Sequence, residues 1–223
     1  MMDIMERELK LRPASDEVLD RLEAVDQLGP LQAIHRRREP QRNAYFDTPD
    51  RALARAHVSL RRRTIDGQAD AIWTVKGPSQ RANGVSSRPE IEVTLEAATP
   101  LPLAVELLSR AAAERGAPLI AEALRHAPEL PDRPMLELVT DRRLADLVQP
   151  GHAGHAELAL DRVALVDHDE YADREIEVEL KQGEEQLLST ARTAIEALGE
   201  VYESDGSKLS RALAYLKRNQ PSD

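Results

Sequence analysis

Polar and apolar residues alternate strictly along several stretches of the chain. From 88 to 95 the even positions are polar, and the odd positions that follow Pro89 are aliphatic. From 174 to 180 the odd positions are glutamates and the even positions from 176 onward are aliphatic. Because successive side chains of a strand point to opposite faces, each stretch predicts a strand with one charged and one aliphatic face. Weaker patterns predict further strands over 6–11, 44–47, 58–65, 71–76, 135–146 and 157–167.

Between these strands, apolar residues recur at helical spacing. Val18, Leu19 and Leu22 predict an amphipathic helix that begins at Ser15 and ends near Leu28. Further helices are predicted over 101–125, with a break at 116–118, and over 184–198 and 208–218. Asp66-Gly67 is a hairpin signal. Strands followed by helices, twice over, with hairpin connections, indicate an antiparallel α+β fold rather than a parallel sheet.

The charged faces carry acids and bases in rows. An open sheet with one face in solvent explains each strand separately, but it does not explain why acids and bases are sorted in this way. A closed barrel with its charged faces inward would leave the aliphatic faces to be covered by the helices. The rows are Glu6, Glu8 and Lys10; Arg61 and Arg63; Thr74 and Lys76; Arg88, Glu90 and Glu92; Glu157 and Asp161; and Glu175, Glu177 and Glu179.

An interior that holds both signs of charge needs a ligand, because unpaired buried charge is costly. Carboxylates without His or Cys suit Mg²⁺ or Mn²⁺, which prefer oxygen ligands. Arg and Lys suit phosphate oxygens. A metal-bound polyanion would satisfy both sets. The glycines do not have the spacing of a Walker phosphate loop.

Composition narrows the class of protein. The chain has 223 residues, which suits one large β-rich domain or two small ones, and we predict one. Its hydrophobic share of 41% is a little low and its charged share of 31% a little high for a globular protein, yet we expect it to fold. It has no cysteine for disulfides or thiolate metal ligands. We expect a soluble cytoplasmic protein, since no apolar run approaches membrane-spanning length and the first ten residues are too charged for a signal peptide. The net charge of −10 disfavours a general nucleic-acid binder.

Seven motifs in order resemble those of the CYTH, or triphosphate tunnel metalloenzyme, family. Glu6-Arg7-Glu8-Leu9-Lys10 is similar to the ExExK signature of that family, which is a weak pattern alone. The later motifs strengthen the resemblance, which extends over almost the whole chain. They are Tyr45-Phe46-Asp47-Thr48-Pro49, Leu60-Arg61-Arg62-Arg63, Thr74-Val75-Lys76-Gly77, Arg88-Pro89-Glu90-Ile91-Glu92, Glu157-Leu158-Ala159-Leu160-Asp161, Glu175-Ile176-Glu177-Val178-Glu179-Leu180 and Ser207-Lys208 with Arg211.

The resemblance implies a single domain over residues 1–223, with a helical insertion at about 101–127. Its fold would be a closed eight-stranded antiparallel β-barrel, or tunnel, with a charged interior and flanking helices. The implied metal ligands are Glu6, Glu8, Glu177 and Glu179, with Glu157 and Asp161 nearby. The implied substrate-binding residues are Arg61, Arg63, Lys76, Arg88, Arg143, Lys208 and Arg211. Arg142 adjoins Arg143, and the sequence leaves open which of the two enters the tunnel.

The expected reaction is attack of water on a terminal phosphorus, promoted mainly by positioning and charge stabilisation. Lys10, beside Tyr45, is predicted either to act as the base or to hold the water, and Glu90 and Glu92 complete the predicted catalytic set. Mg²⁺ or Mn²⁺ is the expected cofactor.

The leading hypothesis for function is hydrolysis of inorganic triphosphate to pyrophosphate and phosphate. Alternatives are a thiamine or nucleoside triphosphatase, a class IV-type adenylate cyclase, and a polyphosphate-binding module without catalysis. With 3% aromatic residues, the chain has few groups that could stack on adenine. The expected partner is a small molecule that contains a triphosphate, bound by a monomer or homodimer, and neither nucleic acid nor membrane.

Overall fold

The fold is taken from a computed structural model that describes residues 5–82, 84–125, 130–204 and 206–219. These residues form eleven strands and six helices. The strands are β1 (Met5–Pro13), β2 (Gln27–Leu28), β3 (Leu31–Phe46), β4 (Ser59–Ile65), β5 (Asp70–Lys76), β6 (Gln80–Ala82), β7 (Val85–Glu96), β8 (Leu136–Val148), β9 (His155–Leu165), β10 (His168–Gln182) and β11 (Val201–Glu203). The helices are α1 (Asp16–Ala24), α2 (Ala52–Arg55), α3 (Leu101–Glu114), α4 (Pro118–Arg125), α5 (Gln186–Glu196) and α6 (Lys208–Arg218).

Eight of the strands are hydrogen-bonded in an order that closes on itself. The order is β1, β10, β9, β8, β3, β4, β5 and β7, and β7 pairs again with β1. The three short strands are additions: β11 pairs with β1, β6 with β7, and β2 with β3. The predicted α+β fold, a closed eight-stranded antiparallel barrel with flanking helices and charged buried residues inside, is therefore confirmed.

Helix α1 and strand β3 depart from their predicted bounds. Helix α1 ends at Ala24 because Val25 has an extended backbone, and β2 then turns back at Gly29, which has a φ of +57°. Strand β3 is 16 residues long, whereas the sequence predicted a strand only over 44–47. The predicted insertion contains α3 and α4, and its residues 126–127 lie outside the described ranges.

Within the described ranges, no helix has the length and apolarity required to cross a lipid bilayer. Helices α3 and α4 instead bury their apolar sides. Leu101, Ala104 and Leu108 of α3 and Ile120 and Leu124 of α4 are all buried.

The chain divides into two compact units. The first comprises Met1–Glu6, Pro40–Ala82 and Ser86–Val139. Its core lies between the aliphatic faces of β4, β5 and β7 and the helices α2, α3 and α4. Trp73, which is 1% exposed and stacks on Phe46, is part of this core.

The second unit comprises Arg7–Glu39, Asn83–Val85 and Thr140–Asp223. Its core lies between the aliphatic faces of β1, β8, β9 and β10 and the helices α1 and α5. Leu19 and Leu22 of α1 and Ile195 of α5 are fully buried there. Burying such a side chain stabilises the fold by about 2 kcal/mol, so each aliphatic strand face is covered at a substantial energetic gain.

Candidate functional site

In the second unit, the register of three strands aligns their charged side chains. β1 and β9 each pair antiparallel with β10, and residues directly opposite one another in such pairs share a face. The opposed pairs are Glu8 with Glu179, Lys10 with Glu177, Glu175 with Asp161, and Glu179 with Glu157. Neighbouring carboxylates repel one another, so this alignment requires cations nearby.

Three carboxylates form the acidic cluster of this unit, which we define as Asp161, Glu175 and Glu177. One oxygen from each lies within 4.8 Å of the others. Asp161 and Glu175 are 0% exposed, so the cluster is withdrawn from water. A set of oxygen ligands at this spacing suits a hard divalent cation.

Lys208 contacts all three carboxylates of the acidic cluster. Its Nζ lies 2.9 Å from Asp161 Oδ2 and 2.8 Å from Glu177 Oε1, and it is also bonded to Glu175 Oε2. Burial would lower the pKa of Lys208, but the three carboxylates raise it above its ordinary value. Lys208 begins α6, and the side chain of Ser207 caps that helix by accepting a bond from the backbone N–H of Ser210.

Arg142 forms a forked pair with Asp161. Its Nε donates to Oδ1 at 2.8 Å and its Nη2 to Oδ2 at 2.6 Å, while Nη2 also donates to Glu177 Oε2 at 2.6 Å. Lys10 Nζ lies 3.0 Å from Glu8 and 3.3 Å from Glu177. Lys10, Arg142 and Lys208, from β1, β8 and α6, therefore lie around the acidic cluster.

These cations separate the pKa values of the three acids. Burial would raise the pKa of Asp161, but Arg142 and Lys208 hold it below the ordinary value. The pKa of Glu177 lies well below its ordinary value because Lys208, Lys10 and Arg142 together outweigh burial. Burial dominates at Glu175 and raises its pKa, against the opposing charge of Lys208.

Arg211, which the sequence assigned to substrate binding, contacts carboxylates. Its Nε donates to Asp173 Oδ2 at 2.7 Å and its Nη2 to Glu175 Oε1 at 2.9 Å. Asp173 is 5% exposed.

The first unit has a separate charged cluster around Glu6. Lys76 Nζ lies 2.7 Å from Glu6 Oε1 and 2.9 Å from Oε2, and Arg88 Nε donates to Oε2 at 2.8 Å. Lys76 Nζ is also 2.7 Å from Glu90. Burial raises the pKa of Glu90 to about 8, assisted by the charge of Glu6 and opposed by Lys76.

Arg61 and Glu92 lie in the same unit and meet at Thr74. Arg61 Nη2 donates to Thr74 Oγ1 at 3.2 Å, and the Thr74 hydroxyl donates to Glu92 Oε1 at 2.7 Å. Burial would raise the pKa of Glu92, but Arg61 and Arg63 lower it. Tyr45 on β3 pairs directly with Arg61 on β4 and is buried.

Three predicted site residues contact charged partners outside the acidic cluster. Arg143 contacts Glu23 and Asp141, and its side chain is 30% exposed. Glu157 and Glu179 both contact Lys181, at 3.6 Å and 2.7 Å, and Glu157 is also bonded to Arg37. Their assignments as substrate or metal ligands stay predictions.

Sequence reasoning left out Glu175 and Asp173, and it did not choose Arg142. Glu175 lies two positions before Glu177, so strand alternation had already placed the two on one face. The signal that distinguishes Glu175 from Glu179 is its opposition to Asp161 on β9. That pairing is a property of the folded sheet.

A family model described as the CYTH domain matches residues 5–213. No curated protein matches the chain in a sequence search.

Several solved structures share the fold. A Hippeastrum protein described as an adenylyl cyclase candidate with a dominant triphosphatase activity is 22% identical, with a TM-score of 0.67 over 94% of this chain and 96% of that one. A Bacillus halodurans protein described as an adenylate cyclase candidate is 22% identical, with a TM-score of 0.57 over 94% and 98%. A Pyrococcus horikoshii protein is 21% identical, with a TM-score of 0.56 over 94% and 99%.

At these identities the solved structures establish the fold alone. The family match extends over most of the chain, including the strands that carry both charged clusters. The ring of eight antiparallel strands and the match over residues 5–213 together show that this chain belongs to the CYTH family.

Proposed function

We propose that the protein is a metal-dependent triphosphatase that cleaves inorganic triphosphate to pyrophosphate and phosphate. The observation that carries this proposal is the buried acidic cluster surrounded by Lys10, Arg142 and Lys208. Carboxylates suit a divalent cation and the surrounding cations suit phosphate oxygens, so a metal–polyphosphate complex uses both sets of charges.

The acidic cluster fits Mg²⁺ or Mn²⁺ in its donor chemistry. Asp161, Glu175 and Glu177 offer oxygen ligands alone, which these hard ions prefer. The ammonium of Lys208 already lies among all three, so the electrostatic environment there favours positive charge. When bound, the ion would supply charge that stabilises the phosphate oxygens during displacement. Glu6 and Glu8 stay sequence-based proposals as further ligands.

The cations of the chain would bind and orient the triphosphate. The bonds of Arg142 to Asp161 and Glu177 use Nε and Nη2, so its Nη1 is the group proposed to donate to a phosphate oxygen, and Lys208 offers a point charge. Lys10 Nζ is a hydrogen-bond donor beside Glu8 and Glu177, and we assign it to orienting the attacking water. The cations of the first unit proposed as phosphate ligands on the same grounds are Arg61, Arg63, Lys76 and Arg88.

Glu90 is the proposed proton-exchanging group of the first unit. Its pKa of about 8 leaves the carboxyl largely protonated at neutral pH, so that it can donate a proton there. Glu92 and Tyr45, which lie near Arg61, complete the proposed catalytic set.

Inorganic triphosphate is favoured over an organic triphosphate by the placement of four of the six aromatic residues. Trp73 and Phe46 pack against each other in the core of the first unit. Tyr171 and Tyr215 pack edge to face, with ring centroids 5.1 Å apart. These rings are engaged in packing, whereas recognition of adenine or thiamine commonly uses ring stacking.

A substrate panel tests the proposal. Purified protein is incubated with triphosphate, ATP, thiamine triphosphate or long-chain polyphosphate, with Mg²⁺, Mn²⁺ or EDTA, while phosphate, pyrophosphate and cyclic AMP are measured. We expect phosphate and pyrophosphate in equal amounts from triphosphate, at a higher kcat/KM than from the organic substrates, and no turnover with EDTA. Cyclic AMP formation, or polyphosphate binding without turnover, would refute the proposal.

Two glutamates on β10 provide a matched pair of variants. Glu177→Gln should lower kcat/KM for triphosphate by at least about 100-fold, since loss of even an outer partner of a metal costs about 10- to 100-fold. Glu170→Gln alters an exposed glutamate on the same strand and should leave kcat/KM within about twofold. Similar losses in both variants would mean that the acidic cluster is not the site of the reaction.

A further inference from the structure

The guanidinium of Arg211 is almost fully occupied by bonds to the protein. Nε donates to Asp173 Oδ2 at 2.7 Å, and Nη2 donates to Glu175 Oε1 at 2.9 Å. Nη1 donates to Ser204 Oγ at 2.8 Å and to the backbone oxygen of Gly206 at 3.0 Å. An arginine has five N–H donors, and four of them are engaged here.

Because most of its N–H donors are occupied, Arg211 is poorly suited to bind phosphate. A bidentate phosphate contact needs two parallel N–H groups, so Arg211 would have to release at least one of its present acceptors. Asp173 and Glu175 are 5% and 0% exposed, and a buried carboxylate that loses its charged partner carries a large penalty. Arg211 is therefore committed to its carboxylates.

Arg211 fixes the orientation of the Glu175 carboxylate. Glu175 Oε1 accepts from both Arg211 Nη2 and Ser204 Oγ, the latter at 3.1 Å, while Oε2 is bonded to Lys208 Nζ. Each carboxylate oxygen thus has its own donor. This arrangement prevents the carboxylate from rotating and directs Oε2 toward the acidic cluster.

Asp173 in turn holds Arg211. Its Oδ2 accepts from Arg211 Nε, and its Oδ1 lies 3.3 Å from Arg12 Nη2 on β1. Arg211 is 16% exposed in its side chain, and burial is more than offset by Glu175 and Asp173, which raise its pKa above the ordinary value. Asp173 therefore holds the guanidinium of Arg211 in the position from which it donates to Glu175.

We propose that Arg211, held by Asp173, is a positioning residue that orients the Glu175 carboxylate within the acidic cluster, and that it does not bind the substrate. The proposal rests on the metal-binding role of the acidic cluster proposed above. Partners that orient a ligating group usually contribute about 10- to 100-fold to metal affinity. Arg211 should therefore govern metal affinity rather than triphosphate affinity.

The test measures Mn²⁺ binding by isothermal titration calorimetry without triphosphate. Arg211→Met and Arg211→Lys should both weaken Mn²⁺ binding by about 10- to 100-fold, because a lysine cannot reproduce the fork that joins Asp173, Ser204 and Glu175. Arg211→Lys keeps a positive charge beside the buried acids and guards against a variant that fails to fold. Arg174→Met, which alters an arginine of β10 bonded to Asp16 on α1, is the matched control and should bind Mn²⁺ like the wild type.

Steady-state kinetics then separate positioning from substrate binding. At saturating Mn²⁺, both Arg211 variants should recover a KM for triphosphate within about twofold of the wild-type value. A phosphate ligand would behave oppositely: Mn²⁺ affinity would be unchanged, KM would rise by about 10-fold or more, and Arg211→Lys would retain part of the binding. That second pattern would overturn the proposal.

A crystal structure of Arg211→Lys distinguishes this proposal from the proposed function. A reoriented Glu175 carboxylate with weakened Mn²⁺ binding supports positioning, even if the wild-type protein fails to hydrolyse triphosphate. An unmoved carboxylate with unchanged Mn²⁺ affinity overturns positioning, even if the wild-type protein is an active triphosphatase. A wild-type protein that binds no Mn²⁺ overturns both proposals.

Discussion

Two adjacent arginines of β8 have different surroundings because neighbouring side chains of a strand point to opposite faces. Arg142 donates to Asp161 and Glu177, which belong to the acidic cluster. Arg143 contacts Glu23 on the helix α1. The family resemblance implied Arg143 as a substrate ligand, and the sequence left open which of the two arginines enters the tunnel, so variants of the pair test that prediction directly.

Arg142→Met should lower the free energy of unfolding by about 3 kcal/mol, because removing one partner leaves buried carboxylates with less opposing charge. It should also lower kcat/KM for triphosphate by at least about 100-fold. Arg143→Met should cost less than about 1 kcal/mol, as is usual for a partly exposed ion pair. Urea unfolding and phosphate release measure both effects. Loss of activity in Arg143→Met alone would instead support phosphate binding by Arg143.

The buried hydroxyl of Tyr171 gives the protein a defined response to alkali. Burial, with a smaller contribution from Asp173, raises the pKa of Tyr171 from 10.0 to about 12. On raising the pH, the unfolded chain therefore loses this proton before the folded chain does. The resulting contribution to stability is complete below about pH 10 and is lost as the pH rises toward 12.

Tyr171→Phe should remove this contribution to the pH dependence. Between pH 9 and 11, the unfolding free energy of the wild type should fall more steeply than that of the variant, by about 1 kcal/mol. At pH 8 the two should agree within about 1 kcal/mol, because the hydroxyl has no hydrogen-bond partner among the described residues. Urea titrations across this pH range measure the difference. If the unfolding free energies of the wild type and the variant fell in parallel with pH, the raised pKa of Tyr171 would be contradicted.

At the scale of elements, Asp47 organises the turn that follows β3. Its carboxylate accepts bonds from the backbone N–H groups of Thr48, Leu53 and Ala54, at 2.8, 2.9 and 3.1 Å. The Thr48 hydroxyl accepts from the N–H of Ala52 at 2.8 Å. These bonds satisfy the first N–H groups of α2, which is too short to be stable without them.

Asp47→Ala should destabilise the protein by about 3 kcal/mol, because the buried N–H groups lose a charged acceptor and each such bond contributes about 1.5–3 kcal/mol. Asp47→Asn keeps one acceptor oxygen and should cost about half as much. Asp50→Ala, three residues later and with a side chain 68% exposed, is the control and should unfold close to the wild-type midpoint. Thermal and urea unfolding give the values; equal losses at Asp47 and Asp50 would exclude this role.

At the scale of the whole molecule, the net charge of −10 opposes binding to nucleic acid. Such binding depends on neutralising phosphates over an extended positive surface and weakens steeply with salt. The cations described above are engaged with carboxylates in compact clusters. A small polyanion bound with a metal can be accommodated in such a cluster, whereas a long polymer needs a continuous surface.

We therefore expect that the protein does not change the mobility of double-stranded DNA or RNA in gel-shift experiments at about 150 mM salt. The protein concentration is about 10 μM, at which nonspecific binders begin to associate. A strongly basic protein without nuclease activity serves as the positive control for the assay. A shift that disappears as salt is raised would show that a positive surface outweighs the net charge.

Alternation in the sequence was sufficient to predict strands with one charged and one aliphatic face, and the family resemblance implied that eight of them close into a barrel. Alternation in β7 and β10 is local information, because it follows from the geometry of a single strand. The helical spacing in α5 and α6 is local in the same sense, and both helices lie within a few residues of their predicted bounds. The end of α1 was missed because its last predicted turn instead pairs with β3, which lies later in the chain.

Tertiary structure decided which charged residues meet. Alternation assigns Glu175, Glu177 and Glu179 to one face of β10, but the cross-strand register places Glu175 and Glu177 with Asp161 and leaves Glu179 with Lys181. Likewise, proximity in sequence to Lys208 suggested that Arg211 binds substrate, whereas its bonds reach a strand more than thirty residues earlier. A strand pattern specifies the face on which a side chain lies, and only pairing between distant strands specifies its neighbours.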